Sequence, residues 1–237
     1  MKLSIIYNVY NSHGVVARQL KYLNSLELPD DIEIIIVDDG SNPPLEGDCK
    51  NVRFVKTNNK QAWTFAQARN RGAKEALGEY LFMSDIDHIL SKEAIMDCYT
   101  YSGFKMIFPR YLAVLTADGV LTQDESVLAE WKALKRRDWY ASYHGNTWCM
   151  PRKLFYELGG YDEALTSKRH HPKRRQGEDS RFNRVWNRWA SPQDIKVDVG
   201  SRIYLFPVGR FNADNNLNPF DLFHRLSYEA VPQPDKE

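Results

Sequence analysis

The chain is poor in the features that place a protein quickly. Of its 237 residues three are cysteine, Cys49, Cys98 and Cys149. They are odd in number, far apart and without a C-x-x-C pair, which excludes a zinc cluster or a disulfide framework as the organising principle. Reduced, partly buried thiols in a reducing compartment are expected instead. No stretch approaches the ~18 apolar residues of a membrane-spanning helix. The opening "MKLSIIYNVY" has one lysine and a short apolar run, and reads as a first strand rather than a signal peptide. Charge of one sign is also missing: 32 Lys and Arg face 31 Asp and Glu. The whole-chain field therefore selects no partner, and local charge must be read instead. There is no internal repeat and no low-complexity linker. A cytoplasmic location is expected, with peripheral contact at a membrane left open.

What the chain does have is 43% hydrophobic residues, enough for a substantial core. The length suits one α/β domain with an extension. Residues 3 to 10, "LSIIYNVY", read as a buried strand. Ser12 is positioned to cap a helix carrying Val15, Val16, Leu20 and Leu23 on one face. In "IEIIIVDDGS" the run of Ile and Val is apolar at every position, as expected of a strand covered on both faces of a parallel sheet. "VRFVKT" is a third strand, residues 61 to 77 a helix, and "YLFMSD" a fourth strand. This is the βαβ rhythm of an open, mostly parallel sheet flanked by helices. Further on, "FKMIFPRYLAVL" reads as strand broken near Pro109, and residues 124 to 137 read as helix. A short helix begins at Pro151, and a helix over 180 to 190 turns Phe182, Val185, Trp186 and Trp189 inward.

Two of the strands end in acid: Asp38-Asp39 after "IEIIIV", and Asp85-Ile86-Asp87 after "YLFM". Open α/β sheets bind ligands outside the carboxyl ends of their strands. A carboxylate cluster there is costly unless something cationic neutralises it. Carboxylate oxygens without thiolate partners suit Mg²⁺ or Mn²⁺, ions that commonly bridge a protein to a diphosphate. The competing reading of "DID" is a helix cap for "SKEAIMDC" just downstream.

"SIIYNVYNS", "IEIIIVDDGS" and "NNKQAWTFAQARNRGAKEALGEYLFMSDIDH" together resemble the donor-binding half of the GT-A glycosyltransferases of family 2 type. "HGNTWCMPRKLFYELGGYDEAL" followed by "GEDSRF" resembles an acceptor half, and also the C-terminal signature of the family 7 galactosyltransferases. The resemblance covers residues 3 to about 189. It implies the GT-A, Rossmann-like fold: a donor-binding half over 1–100, an acceptor-binding and catalytic half over 101–211, and an extension over 212–237. It implies an inverting hexosyltransferase that uses Mn²⁺ or Mg²⁺ and a nucleoside-diphosphate sugar, with UDP the carrier by family analogy.

By the same resemblance, Asp38 and Asp39 bind the base and ribose, Asp39 being favoured, and the backbone near Val9 and Tyr10 lines the base pocket. Family members often carry proline near Val9, and this chain does not. Arg69 in "ARN" pairs either with a phosphate or with the acidic cluster. Asp87 is the expected metal ligand, with Asp85 on ribose or on the metal, and His224 in "DLFHRLS" is the candidate histidine ligand. His88 follows Asp87, but points away if the strand continues, and is read as lying behind the metal. "GED" opens the 180–190 helix, where acidic residues also suit the helix dipole. Asp179 matches the family's catalytic base, and Glu178 the acceptor-holding residue. Gly159-Gly160 lets the backbone approach the sugar, with Gly160 in the donor site. Trp148 stands either as a wall for the sugar or in the core.

The segment "TSKRHHPKRRQ", 166 to 176, carries five Lys or Arg and two His beside the expected base. Related sequences often have a shorter stretch here rich in glycine and tryptophan. The basic run, with "KRRDWY" at 135 to 140, points to a lid over the diphosphate or to an anionic hydroxyl acceptor, a carbohydrate or glycolipid. Nucleic acid is the weaker acceptor given the balanced charge, and a plain surface loop is the bland reading. Two other functions remain open on sequence. One is a nucleotidyltransferase, although "NVYNSHGVV" lacks a glycine-rich basic phosphate loop. The other is a noncatalytic carbohydrate- or nucleic-acid-binding module.

Overall fold

The computed structural model describes residues 1–59, 64–130, 143–165 and 177–206. The strands in chain order are β1 (Leu3–Val9), β2 (Ile32–Asp38), β3 (Val52–Lys56), β4 (Tyr80–Asp85), β5 (His88–Ile89), β6 (Met106–Ile107), β7 (Arg110–Leu112), β8 (Val114–Leu115), β9 (Leu121–Thr122), β10 (Trp148–Pro151), β11 (Asp198–Val199) and β12 (Ile203–Leu205). The helices are α1 (His13–Ser25), α2 (Phe65–Glu75), α3 (Lys92–Thr100), α4 (Glu125–Glu130), α5 (Arg152–Glu157) and α6 (Glu178–Ala190).

The main sheet has the order β11-β6-β10-β4-β1-β2-β3. Its first four strands in sequence are mutually parallel, and β10 enters antiparallel beside β4. Every residue of β1 and β2 is buried, which is why those segments are mostly apolar without alternation; the buried Ser4 hydroxyl donates to the Glu33 carboxylate at 2.6 Å. One face packs Ile5, Tyr7, Val9, Ile34 and Ile36 under α1 and α3. The other packs Ile6, Ile35, Val37, Leu81 and Met83 under α2, α5 and α6.

Sequence expectations hold for the strands of this half and need trimming for the helices. The helix expected over 61–77 starts at Phe65, because Thr64 is held by Asp39 instead of continuing the turn. Ser12 precedes α1 but does not cap it; its hydroxyl donates to the Tyr10 carbonyl. The α2 face toward the sheet is Ala66, Ala68, Arg69, Gly72 and Ala73. A Cβ on Gly72 would lie 2.4 Å from the Ile6 Cγ2, so glycine there lets the helix settle close on β1. That close approach carries Arg69 to the strand ends.

The second half departs more from expectation. The 106–115 segment forms three short strands, and β7 joins β12 and β5 in a separate small sheet. Trp148 is fully buried among Phe155, Tyr161 and Phe182, with ring centroids 5.3–6.5 Å away. It is a core residue, which excludes the sugar-wall reading. In α6, Phe182 and Trp186 are buried as predicted. His224, the 135–140 patch, the 166–176 segment and the 212–237 extension lie outside the described residues.

Candidate active site

The carboxyl ends of β2, β1 and β4 lie side by side, with Val9 opposite Asp38 and Asn8 opposite Asp85. Neighbouring strands are ~4.8 Å apart, so the two acidic strand ends flank β1 at about 10 Å. The two aspartates of β2 divide their work. Asp38 accepts from the backbone N–H of Ser41 at 2.8 Å and of Leu45 at 2.9 Å, one on each oxygen. It organises the following loop. Asp39 is held by the Val9 carbonyl through its own N–H at 2.8 Å. Its carboxylate accepts from the Thr64 hydroxyl at 2.8 Å, the Thr64 N–H and the Thr57 hydroxyl at 3.2 Å. Burial raises its pKa to about 6, against the lowering effect of the Thr64 and Thr57 bonds. Val9 is in the core and its carbonyl is used by Asp39, so it positions Asp39; Tyr10 sits half-buried at the start of the loop.

β4 ends at Asp85, and Ile86-Asp87 make a turn before β5. The strand does not continue, so alternation fails and His88 swings back beside Asp85. This corrects the sequence expectation that His88 points away. The turn is pinned from beneath by α1: Gln19 donates to the carbonyls of Ile86 at 3.1 Å and His88 at 2.9 Å. From the far side Phe206 N–H donates to the Asp87 carbonyl at 2.8 Å. Asp87 is buried in this turn.

Arg69 joins the two halves of the chain. Its guanidinium is 2% exposed and donates to Asp85 at 2.6 Å and to Glu178 at 3.0 Å. It lies over the rings of Phe65 and Tyr161, at 5.4 and 5.3 Å. The acidic cluster is thus one of the two partners read from the sequence for Arg69. Burial pushes the Asp85 carboxyl up, but Arg69, His144 and His88 together hold it well below the usual carboxylate range.

The clamp brings the α6 N-terminus to the strand ends, and with it Asp179. The latter packs on the 144–147 loop: a Cβ on Gly145 would lie 3.3 Å from its Oδ2. Asn183, one turn on, donates to the Gly145 carbonyl at 3.2 Å and accepts from the buried Lys105 ammonium at 2.7 Å. Burial lowers the Lys105 pKa to about 8. The Gly159-Gly160 turn, both at positive φ, is fastened to α2 by Asn70, which bonds both the N–H and the carbonyl of Tyr161 at 2.9 Å. Asp162 caps its own turn and pairs with Arg181 at 3.0 Å.

His144 and Lys105 went unread in the sequence. His144 places Nδ1 3.3 Å from Oδ2 of Asp85, the oxygen that Arg69 does not take. With His88, ligating atoms of three residues lie within 4.8 Å of one another. These are oxygen and nitrogen donors with no thiolate, a set that fits a divalent cation of the Mg²⁺, Mn²⁺ or Zn²⁺ kind. The signal was present in "HGN", which follows a segment of no clear periodicity.

Comparison with known proteins bears on this site. Residues 4–102 match the family model described as glycosyl transferase family 2. The chain is 33% identical over 109 residues to the poly(ribitol-phosphate) β-N-acetylglucosaminyltransferase TarP of Staphylococcus aureus, covering 42% of this chain and 32% of that protein. It spans a third or less of the curated relatives it matches, 16%, 29% and 32% in three of them. Among solved structures it resembles S. aureus TarS 1–349 in complex with UDP, with TM-score 0.54, 17% identity, and coverage of 100% of this chain and 67% of that one. It also resembles the mannosyltransferase PcManGT of Pyrobaculum calidifontis in complex with GDP-Man and Mn²⁺, with TM-score 0.53, 14% identity, and coverage of 96% and 69%. At these identities the structural likeness establishes the fold, which is that of the GT-A glycosyltransferases. The family match ends at residue 102 and does not reach the block that resembles family 7.

Proposed function

We propose that the protein is an inverting glycosyltransferase that moves a hexose from a nucleoside-diphosphate sugar, a UDP-sugar by preference, to a hydroxyl acceptor. The observation that carries this reading is the Arg69 clamp. It gathers Asp85 from the end of β4 and Glu178 from the first turn of α6, where Asp179 follows, two strands across from the β2 end that carries Asp39. Asp39 holds the base or ribose, since a carboxylate can accept from a ribose hydroxyl or a uracil N–H. Asp179 withdraws the acceptor proton as the new bond forms, because a sugar hydroxyl is a weak nucleophile until then. A single displacement on that geometry inverts the anomeric centre. Glu178, bonded to Arg69, holds the acceptor side of the crevice. Asp85 and Asp87, with a histidine, would hold a divalent cation, which when bound supplies neutralisation of the leaving diphosphate.

The basic run at 166–176 supports an anionic acceptor. So does the naming of TarP, and of a Bacillus spizizenii relative, for poly(ribitol-phosphate). The GN, GGYDE and GED elements of residues 145–179 serve as its acceptor half. The test is a panel of nucleotide sugars with Mn²⁺, read by thermal shift and by release of nucleoside diphosphate. A UDP-sugar should stabilise the protein and be hydrolysed slowly. Absence of any nucleotide-dependent shift across UDP, GDP and dTDP sugars would remove the reading.

A further inference from the structure

We propose that Lys105 and Asn183 are positioning residues for the transfer, holding the 144–147 loop against Asp179 so that the crevice around that carboxylate keeps one shape. The inference rests on the glycosyltransferase reading for the role of Asp179, and on local geometry for the two residues. Lys105 immediately precedes β6 and is 2% exposed. Its ammonium donates to Asn183 Oδ1 at 2.7 Å and stands over the rings of Phe182 and Trp186, at 5.8 and 5.2 Å. Among the described residues no carboxylate pairs with it. An ammonium only donates and a carbonyl only accepts, so the Asn183 amide has one orientation here. Oδ1 faces Lys105, and Nδ2 donates to the Gly145 carbonyl at 3.2 Å.

The far end of this relay reaches the proposed base. A Cβ on Gly145 would meet Asn183 Nδ2 at 2.9 Å, and Asp179 Cβ and Oδ2 each at 3.3 Å. Glycine thus lets the loop backbone lie directly on both side chains. The rest of the loop is fastened to other elements. His144 faces Asp85 at 3.3 Å, Asn146 Oδ1 accepts from the Tyr161 hydroxyl at 3.2 Å, and the Thr147 hydroxyl lies 2.6 Å from His88. The Asn183 bond ties it to α6, the helix that carries Asp179. A staple with no other role would be better made without a charge. Burial lowers the Lys105 pKa to about 8, so the charged form is disfavoured in the folded state. That cost is full below the lowered value and fades as pH rises toward the unfolded one, ~10.4. The two aromatic rings offset part of it. Groups held charged against such a cost concentrate at functional sites.

The test compares Lys105→Met, Asn183→Leu and the double variant with wild type, all as the full chain. Each single change leaves a buried partner unsatisfied. The double change removes both polar groups, so that variant carries the test even where a single one does not fold. UDP affinity, read by calorimetry, should stay within ~2-fold of wild type throughout. Release of UDP from UDP-N-acetylglucosamine or UDP-glucose at saturating donor should fall about 10–100-fold in Lys105→Met. The double variant should lose the same factor, because two members of one relay do not add. Hydrogen exchange over 144–147 should quicken while β1 stays protected. Turnover in the double variant within ~2-fold of wild type, losses that multiply, a fall in UDP affinity that matches the fall in turnover, or unchanged exchange in the loop would each overturn the assignment. These outcomes leave the transferase reading standing as long as wild type binds UDP and releases it from a UDP-sugar. Failure of wild type to do so would remove that reading, and this inference with it.

Discussion

Replacing Arg69 by methionine isolates the interaction on which the site depends. Methionine keeps an unbranched chain between Phe65 and Tyr161 but removes the cation from between Asp85 and Glu178. Two carboxylates that are 17% and 10% exposed at the side chain then lose the cation between them. Removing one member of a buried ion pair costs about 3–5 kcal/mol. In a domain of this size each kcal/mol is worth roughly 2–4 °C in Tm, so a fall of about 6–20 °C is expected at pH 7.5. The pH dependence follows from the same charges. In the wild type the Asp85 pKa is depressed, so its stabilisation is present above the unfolded value, ~3.9, and lost as pH falls through the folded one. In the variant, burial acts on Asp85 without Arg69 and raises its carboxyl pKa. The cost is then full above the raised value and disappears as pH falls toward about 4. Urea denaturation of both proteins between pH 8 and pH 5 measures this directly. A deficit under about 1 kcal/mol, or one that stays constant over that range, would refute the clamp as the element that joins the halves.

Three other outcomes follow from single residues. Asp39→Asn removes a desolvated charge whose pKa is raised to about 6. For such a group the cost of ionisation is present above pH 6 and gone below about 4, so the variant should be the more stable protein at pH 7.5 and lose that advantage on acidification, while UDP affinity falls; equal stability at pH 7.5 counts against it. Asp179→Asn should keep its Tm and its UDP shift and lose turnover by about 10²–10⁴, checked by steady-state transfer assays. Gly160→Ala places a Cβ 2.9 Å from Asn70 Oδ1 at a φ of +64°. A loss of about 1–2 kcal/mol is expected in denaturant titration, with weaker fastening of the 159–163 turn to α2.

Much of the donor half could be read from local pattern. Strands buried on both faces are mostly apolar, so β1, β2 and β4 stand out against amphipathic α1, and the acidic ends of β2 and β4 are visible because charge is so unexpected there. The second half has two- and three-residue strands, too short to show any period. Tertiary pairing decided them. The same limit explains Trp148, whose burial depends on Phe155, Tyr161 and Phe182 meeting around it.

The sequence by itself determined the βαβ order, the parallel sheet and the acidic strand ends, because these follow from periodicity and composition within a few residues. Only the tertiary structure decided which groups meet. The division of labour between Asp38 and Asp39, the return of His88 after the Ile86-Asp87 turn, and the approach of His144 to Asp85 across 59 residues of chain are all products of packing. Arg69 shows the reason most plainly. Its partners stand 16 and 109 residues away, and a charge chooses its partner by distance in space after the helices have docked, which no local pattern encodes.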